Sequence, residues 1–315
     1  MAFGSVEDLV DAVEKGNPRA IGRLISMVEN NSPNLREAMK RMSRFTGRST
    51  VIGITGSPGV GKSTSTTALI AALRARGQRV GVLAVDPSSP FSGGAVLGDR
   101  IRMQRHATDP DVFIRSMASR GHLGGLSAAA PQALRVFDTA GFDIVLVETV
   151  GVGQSEVEIA SAADTILVLS APGMGDGIQV AKAGILEIAD IFVVNKADRD
   201  GVQQLVRELR TMVALAEHAL EDWKPPIVRT IAHEEQGVDE LLSAIEAHGR
   251  HGRRDGSWAR RRLQRAATEV EALVLGTVRQ KFVVRGRDAF EDVAASVRDG
   301  ELDPYTASDR ILATI

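Results

Sequence analysis

Val51-Ile52-Gly53-Ile54-Thr55 runs directly into Gly56-Ser57-Pro58-Gly59-Val60-Gly61-Lys62-Ser63, and this stretch decides how the chain is read. A short β-branched apolar run has the composition of a buried strand, and the residues that follow, 64–76, have helical spacing. The eight residues between them match G-x-x-x-x-G-K-[ST] in the strand-to-helix setting which that pattern requires. Glycines there let the backbone curl so that its N–H groups point inward, and the helix N-terminus adds partial positive charge at the same point. The stretch from Gly56 to Ser63, with Thr64 after it, is therefore predicted to cradle a polyphosphate. In that cradle Lys62 spans the β- and γ-phosphates and the Ser63 hydroxyl ligates Mg²⁺.

Outward from this loop the chain alternates apolar runs with amphipathic ones. RVGVLAV from 79, DVFIRS from 111, FDIVLVE from 142, DTILVLS from 164, DIFVVN from 190 and PIVRT from 226 complete seven predicted strands. Strands separated by helices predict an α/β fold, a P-loop nucleotide triphosphatase whose mostly parallel central sheet is flanked by helices. Three short helices precede the first strand: one capped by Ser5, one entered through Asn17-Pro18 and one beginning near Asn34. At the other end, an arginine-rich run from 248 to 265 leads into a long helix (266 to about 280) and two shorter ones. The expected division is 1–48 as an N-terminal helical extension, 49–250 as the P-loop domain and 251–315 as a C-terminal helical arm.

The second chemical motif is Asn195-Lys196-Ala197-Asp198, closing a strand about 130 residues after the phosphate loop. A carboxylate only accepts hydrogen bonds, and guanine offers N–H donors on N1 and N2 where adenine offers none at C2. Asp198 is thus predicted to select GTP or GDP over adenine nucleotides, with Lys196 lying along the purine and Asn195 bracing the loop. Thr230-Ile231-Ala232, after the last strand, forms a second, degenerate base-contacting loop. For the metal, Glu148 ends the strand FDIVLVE, where an acid suits an ion that borrows one or two carboxylates. Asp86 and Asp99 are further candidates, for the metal's water shell or for the attacking water, and the Gly151 N–H for the γ-phosphate. Gln154 lies three residues beyond Gly151 rather than directly after it. With no arginine placed as a finger in cis, slow turnover accelerated by a partner is expected.

Composition narrows the rest. The chain has 315 residues, 43% hydrophobic, with 38 Lys plus Arg against 40 Asp plus Glu, so no global field recruits nucleic acid or an anionic membrane. The absence of cysteine excludes disulfides and thiolate chemistry and suits a reducing cytoplasm. The N-terminus, MAFGSVEDLVDAVEKG, is acidic where a signal peptide is basic and then apolar, so a soluble, unprocessed chain is expected. Arg250, Arg253, Arg254, Arg260, Arg261 and Arg262 lack interleaved aromatics and are assigned to a solvated hinge or dimer face rather than to nucleic acid. His248 and His251, with no cysteine or carboxylate pair beside them, are not assigned a metal. Met27, Met39 and Met42 are assigned to core.

LAVDPSSP with GDRIRM after it, Glu148 at its strand end, and ETVGVGQSE together resemble the MeaB/ArgK family of GTPases over nearly the whole chain. The resemblance implies an auxiliary protein of methylmalonyl-CoA mutase or a related B12-dependent acyl-CoA mutase. Such a GTP-driven chaperone gates adenosylcobalamin loading and protects or reactivates the mutase. It also implies a homodimer joined through the C-terminal arm. In addition, it implies a switch in the loop after the fifth strand, here residues 171–182 with Gly173, Gly175, Gly177, the nearby Gly184, and Lys182. Two alternatives stand beside it: a kinase acting on a basic amino acid transport system, for which no acceptor pocket is legible, and a nickel metallochaperone GTPase, whose cysteine ligands are missing.

Overall fold

All seven strands fall where the apolar runs predict, and every pairing between them is parallel. In the computed structural model, which describes residues 3–87, 104–106, 108–119, 125–149, 162–173, 188–215, 223–282 and 287–313, they are β1 (Thr50–Thr55), β2 (Val80–Pro87), β3 (Val112–Ser119), β4 (Ile144–Thr149), β5 (Thr165–Ser170), β6 (Ile191–Asn195) and β7 (Ile227–Thr230). Their order across the sheet is β3-β2-β4-β1-β5-β6-β7. From β1 the chain crosses over β4 to reach β2; from β4 it crosses back over β1 to reach β5. The direction of winding therefore reverses at β1 and β4, and the crevice beyond their carboxyl ends is where open α/β sheets bind ligands.

Successive residues of the buried strands serve opposite faces. On one face Val51, Val145, Val147, Phe192 and Val194 pack with helices α1 (Val6–Glu14), α2 (Pro18–Glu29), α3 (Leu35–Met42), α5 (Gly125–Thr139) and α6 (Val202–Leu215). On the other, Ile52, Ile54, Leu146, Leu167 and Val193 meet α4 (Lys62–Ala75) and α7 (Val238–Arg254). The N-terminal helices are thus part of the sheet's cover. Their starts follow from capping: the Ser5 hydroxyl accepts from Asp8 N–H at 3.0 Å, and Asn17 Oδ1 accepts from Arg19 and Ala20 N–H ahead of Pro18 in the first turn. Met42 is fully buried and Met27 and Met39 pack against the same core, as assigned.

The long C-terminal helix, α8 (Ser257–Lys281), begins nine residues before the point expected. Asp255 makes this start possible, accepting from Ser257 N–H at 3.0 Å and from Ser257 Oγ at 2.8 Å. Part of the arginine run is consequently helical and turned inward, which corrects the reading of Arg261 and Arg262 as solvated. Arg261 forks onto Asp190 (2.5 and 2.6 Å), while Arg262 and Arg265 both reach Asp164, whose side chain is wholly buried and also accepts from Val51 N–H. Two buried carboxylates at the amino ends of β5 and β6 are each paired with guanidinium, as buried charge requires. Burial pushes the Asp190 carboxyl up, but hydrogen bonds from His248 and Arg261 outweigh it and hold the group below its ordinary value.

The chain divides into two compact units, residues 1–265 and 266–315. The second consists of the remainder of α8 with α9 (Arg287–Arg298) and α10 (Pro304–Leu312). Within it Phe282 and Phe290 meet edge to face, while Val270, Leu273, Val274 and Val278 form an exposed apolar stripe at helical spacing along α8. No helix among the described residues is long and apolar enough to cross a membrane.

Candidate functional site

The loop from Gly56 to Gly61 joins β1 to α4 at the point where the winding reverses. Gly56, Gly59 and Gly61 take φ of 137°, 81° and 101°, conformations closed to most side chains. A Cβ on Gly56 would collide with the Leu169 carbonyl of β5, and one on Gly61 with the Asn195 amide. Val60 is buried in the core beneath the loop, leaving Pro58 and Gly59 exposed at its tip. The Lys62 ammonium lies along the loop, donating to Gly56 O at 2.5 Å and Ser57 O at 3.1 Å.

Glu148 closes the floor of this site. Sheet register sets it opposite Ile54, one residue from the end of β1, so its carboxylate comes to the first turn of α4. Ser63 Oγ donates to Oε1 at 2.7 Å and Thr66 Oγ1 donates to Oε2 at 2.7 Å. Glu148 is 3% exposed. The Ser63 and Glu148 oxygens fit Mg²⁺ as a donor set, since both are hard oxygens. Their 2.7 Å separation is within a few tenths of an ångström of the edge of about 3.0 Å between neighbouring ligands of an octahedron with metal–oxygen bonds of about 2.1 Å. Thr66 was not picked out from the sequence; its signal was its place three residues after Ser63, on the same face of the helix.

The other motif meets the phosphate loop through two side chains, Asn195 and Lys196. Asn195 is buried; its Nδ2 donates to Val60 O at 2.9 Å, and its Oδ1 accepts from Thr230 Oγ1 at 3.2 Å and from Ala232 N–H at 3.1 Å. Lys196 has φ of 57°, a left-handed conformation uncommon outside glycine, and its ammonium reaches Gly59 O at 2.6 Å. Ala197 N–H bonds Thr230 O, which joins the two loops a second time. Asp198 is exposed at the open end, and Ile231, half-buried, bridges Gln236.

Asp86 has its backbone at the carboxyl end of β2, two residues beyond the one paired with Glu148; its side chain lies outside the described part of the structure. Asp99, Gly151, Gln154, Lys182, Gly175, Gly177 and Gly184 also lie outside the described residues, whereas Gly173 follows β5 with φ of 76°. A further residue missed from the sequence is His106, in a short turn against α4. It is 8% exposed with Nε2 unpartnered, and burial lowers its pKa against the hydrogen bond it makes to the Thr67 backbone. His248 is buried between Thr165 Oγ1 (2.8 Å) and Asp190 (3.2 Å), a structural role. Among the described residues no three His, Cys, Asp or Glu gather as a metal cluster.

An all-parallel sheet that carries G-x-x-x-x-G-K-S between its central strand and the following helix, at the reversal of winding, is the fold of a P-loop nucleotide triphosphatase. A crystal structure described as a LAO/AO transport system kinase shares that fold, with a TM-score of 0.73 and 24% identity, covering 99% of this chain and 97% of its own. The family model for the methylmalonyl-CoA mutase-associated GTPase MeaB matches residues 21–287, and the chain belongs to that family. Among its relatives, a protein of Pyrococcus horikoshii with a GTPase name is 47% identical over 312 residues, spanning 98% of both chains. The GTPase ArgK of Escherichia coli is 36% identical over 256 residues, covering 76% of this chain and 75% of its own. Guanine-nucleotide binding goes with this family of GTPases.

Proposed function

We propose that this chain is a Mg²⁺-dependent GTPase of low intrinsic rate that acts as a chaperone of a B12-dependent acyl-CoA mutase, methylmalonyl-CoA mutase first among them. The observation that carries the GTPase half is the continuous set of hydrogen bonds from Glu148 through Ser63 and the phosphate loop to Asn195 and Thr230. One piece of protein thereby offers a metal ligand, a phosphate cradle and a base-contacting loop. The mutase half is supported by the family to which the chain belongs.

In this reading the N–H groups from Gly59 to Thr64 hold the β-phosphate. Lys62 exchanges the Gly56 and Ser57 carbonyls for phosphate oxygens, which supplies charge where it accumulates as the γ-phosphoryl leaves. Ser63 and Glu148 would hold Mg²⁺, which neutralises the phosphate oxygens when bound. Asp86 and Asp99 would serve its water shell or orient the attacking water, and Gly151 would meet the γ-phosphate. Asp198 accepts from guanine N1–H and N2–H, with Lys196 along the purine and Thr230, Ile231 and Ala232 closing its edge. Water attacks the γ-phosphorus, GDP departs, and the proton from water leaves with phosphate. The exposed stripe Val270, Leu273, Val274 and Val278 supports a homodimer through residues 251–315, and the division into 1–48, 49–250 and 251–315 belongs to the same proposal.

The test is steady-state hydrolysis of GTP and ATP, with and without purified methylmalonyl-CoA mutase, using Lys62→Ala as the blank. Slow GTP turnover that rises several-fold with the mutase and vanishes in the blank supports both halves. A rate and affinity indifferent to the mutase removes the chaperone half, and equal turnover of ATP removes the guanine assignment.

A further inference from the structure

We propose that Thr66 is a positioning residue that makes the metal site selective for small octahedral cations over Ca²⁺, by keeping the second oxygen of Glu148 occupied. The inference rests on the Mg²⁺ site proposed above.

The geometry is specific to this helix turn. Ser63 and Thr66, three residues apart on α4, address the two oxygens of one carboxylate: Ser63 on Oε1 and Thr66 on Oε2, each at 2.7 Å. A cation taken up here would be held by the Ser63 hydroxyl oxygen and Glu148 Oε1, in place of the hydrogen bond between them. Thr66 is not displaced by this exchange, because its partner is the other oxygen. Its single proton has a choice between Oε2 and the Lys62 carbonyl at 3.0 Å, and the ionised acceptor at the shorter distance takes it. Thr66 and Glu148 are 0% and 3% exposed, so water does not readily substitute for either.

The Thr66 hydrogen bond thereby orients the carboxylate to present one oxygen to the ion and sets a cost on turning the second one to it. That suits Mg²⁺ or Mn²⁺, which take six ligands in near-ideal octahedral geometry, and works against Ca²⁺, which takes six to eight and commonly uses both oxygens of a carboxylate. Residues that orient a metal ligand from behind carry about 10- to 100-fold of metal affinity when lost. A threonine here therefore contributes to affinity for the small ion and to rejection of the large one.

The experiment uses the full chain with GDP, protein in excess of nucleotide, and Mn²⁺ followed by electron paramagnetic resonance, with Mg²⁺ and Ca²⁺ as competitors. Thr66→Val, which keeps the shape and removes the hydroxyl, is expected to weaken Mn²⁺ and Mg²⁺ at least about 10-fold while Ca²⁺ weakens less or tightens. Thr66→Ser, which keeps the hydroxyl, is expected to restore wild-type values, and circular dichroism confirms that both variants are folded. Unchanged Mn²⁺ affinity in Thr66→Val overturns the inference, and so does an equal loss for all three ions, which is what impaired packing alone produces. Should the wild-type protein hold no more Mn²⁺ than GDP does in free solution, it is the metal site itself that fails.

Discussion

Asn195 donates its amide to the carbonyl of Val60 at 2.9 Å, tying the strand end that carries the guanine motif to the loop that carries the phosphate motif. The two are far apart in sequence, yet this buried side chain ties them together, beside the exposed bond from Lys196 to Gly59 O, and its own oxygen is held by Thr230 and Ala232. Recognition of base and recognition of phosphate are in that sense a single mechanical property of the fold.

Replacing Asn195 with alanine removes all three bonds and strands the Ala232 N–H and Thr230 hydroxyl in a buried place. At about 1–3 kcal/mol for each buried group left unpaired, the fold is destabilised, and with the tie between the two loops gone affinity for GDP is expected to fall. Titration calorimetry reads this directly, and an unchanged affinity removes Asn195 from the site.

Asp198 is exposed and held by none of the bonds that shape the loop, so Asp198→Asn is expected to leave thermal stability within about 0.5 kcal/mol. Its effect falls on the base instead. An amide offers a donor as well as an acceptor, so GDP binding weakens sharply while xanthosine diphosphate, which carries a carbonyl at C2, gains. Competition between the two nucleotides in wild type and variant measures the exchange.

Arg261 and Asp190 carry a stability that depends on pH. Because the folded Asp190 pKa lies below its ordinary 3.8, this contribution is complete above that value and is lost as pH falls through the lower, folded one. Arg261→Met leaves the buried carboxylate with His248 and the Ile166 N–H, neither of which carries a guanidinium's fixed charge. The expected cost at neutral pH is about 2–4 kcal/mol, below that of a fully buried pair because the guanidinium is 38% exposed. Urea unfolding followed by an acid titration is expected to show lower stability and unfolding that sets in at higher pH than in wild type.

His106 titrates with the same sign from a different starting point. Its folded pKa lies below 6.5, so the fold disfavours protonation, and the neutral ring's contribution is full above pH 6.5 and is shed as pH falls from there through the folded value. His106→Gln is expected to flatten the dependence of melting temperature on pH below 6.5. An identical slope in wild type and variant shows that the histidine does not set it.

The strands were legible because parallel strands covered on both faces are written as unbroken apolar runs, and β4, β5 and β6 are buried throughout. The phosphate and base motifs were legible for another reason: their chemistry needs particular residue types at fixed spacing, and Lys62, Ser63 and Asn195 come together as that spacing demands. Arg261, Arg262 and Arg265 were misread or passed over, since arginine at a helix start looks solvated unless its partner is known. Asp190 and Asp164 lie 71 to 101 residues away in sequence and are not marked by any local pattern. Thr66 escaped for a similar reason, its partner being a strand end brought near only by the register of β1 with β4.

That register also bears on how the protein is made. β1 lies at the middle of the sheet, with Thr50 paired to Ile144 and Ile52 to Thr165, so a ribosome delivers the central strand long before either of its neighbours. The first three helices are in the same position, because α5, against which they pack, is synthesised well after them. Until β4 has left the exit tunnel, β1 has no strand to pair with and stays open to misassociation. The phosphate-binding loop hangs from that strand, so nucleotide binding can emerge only late in translation, as a property of a nearly finished sheet.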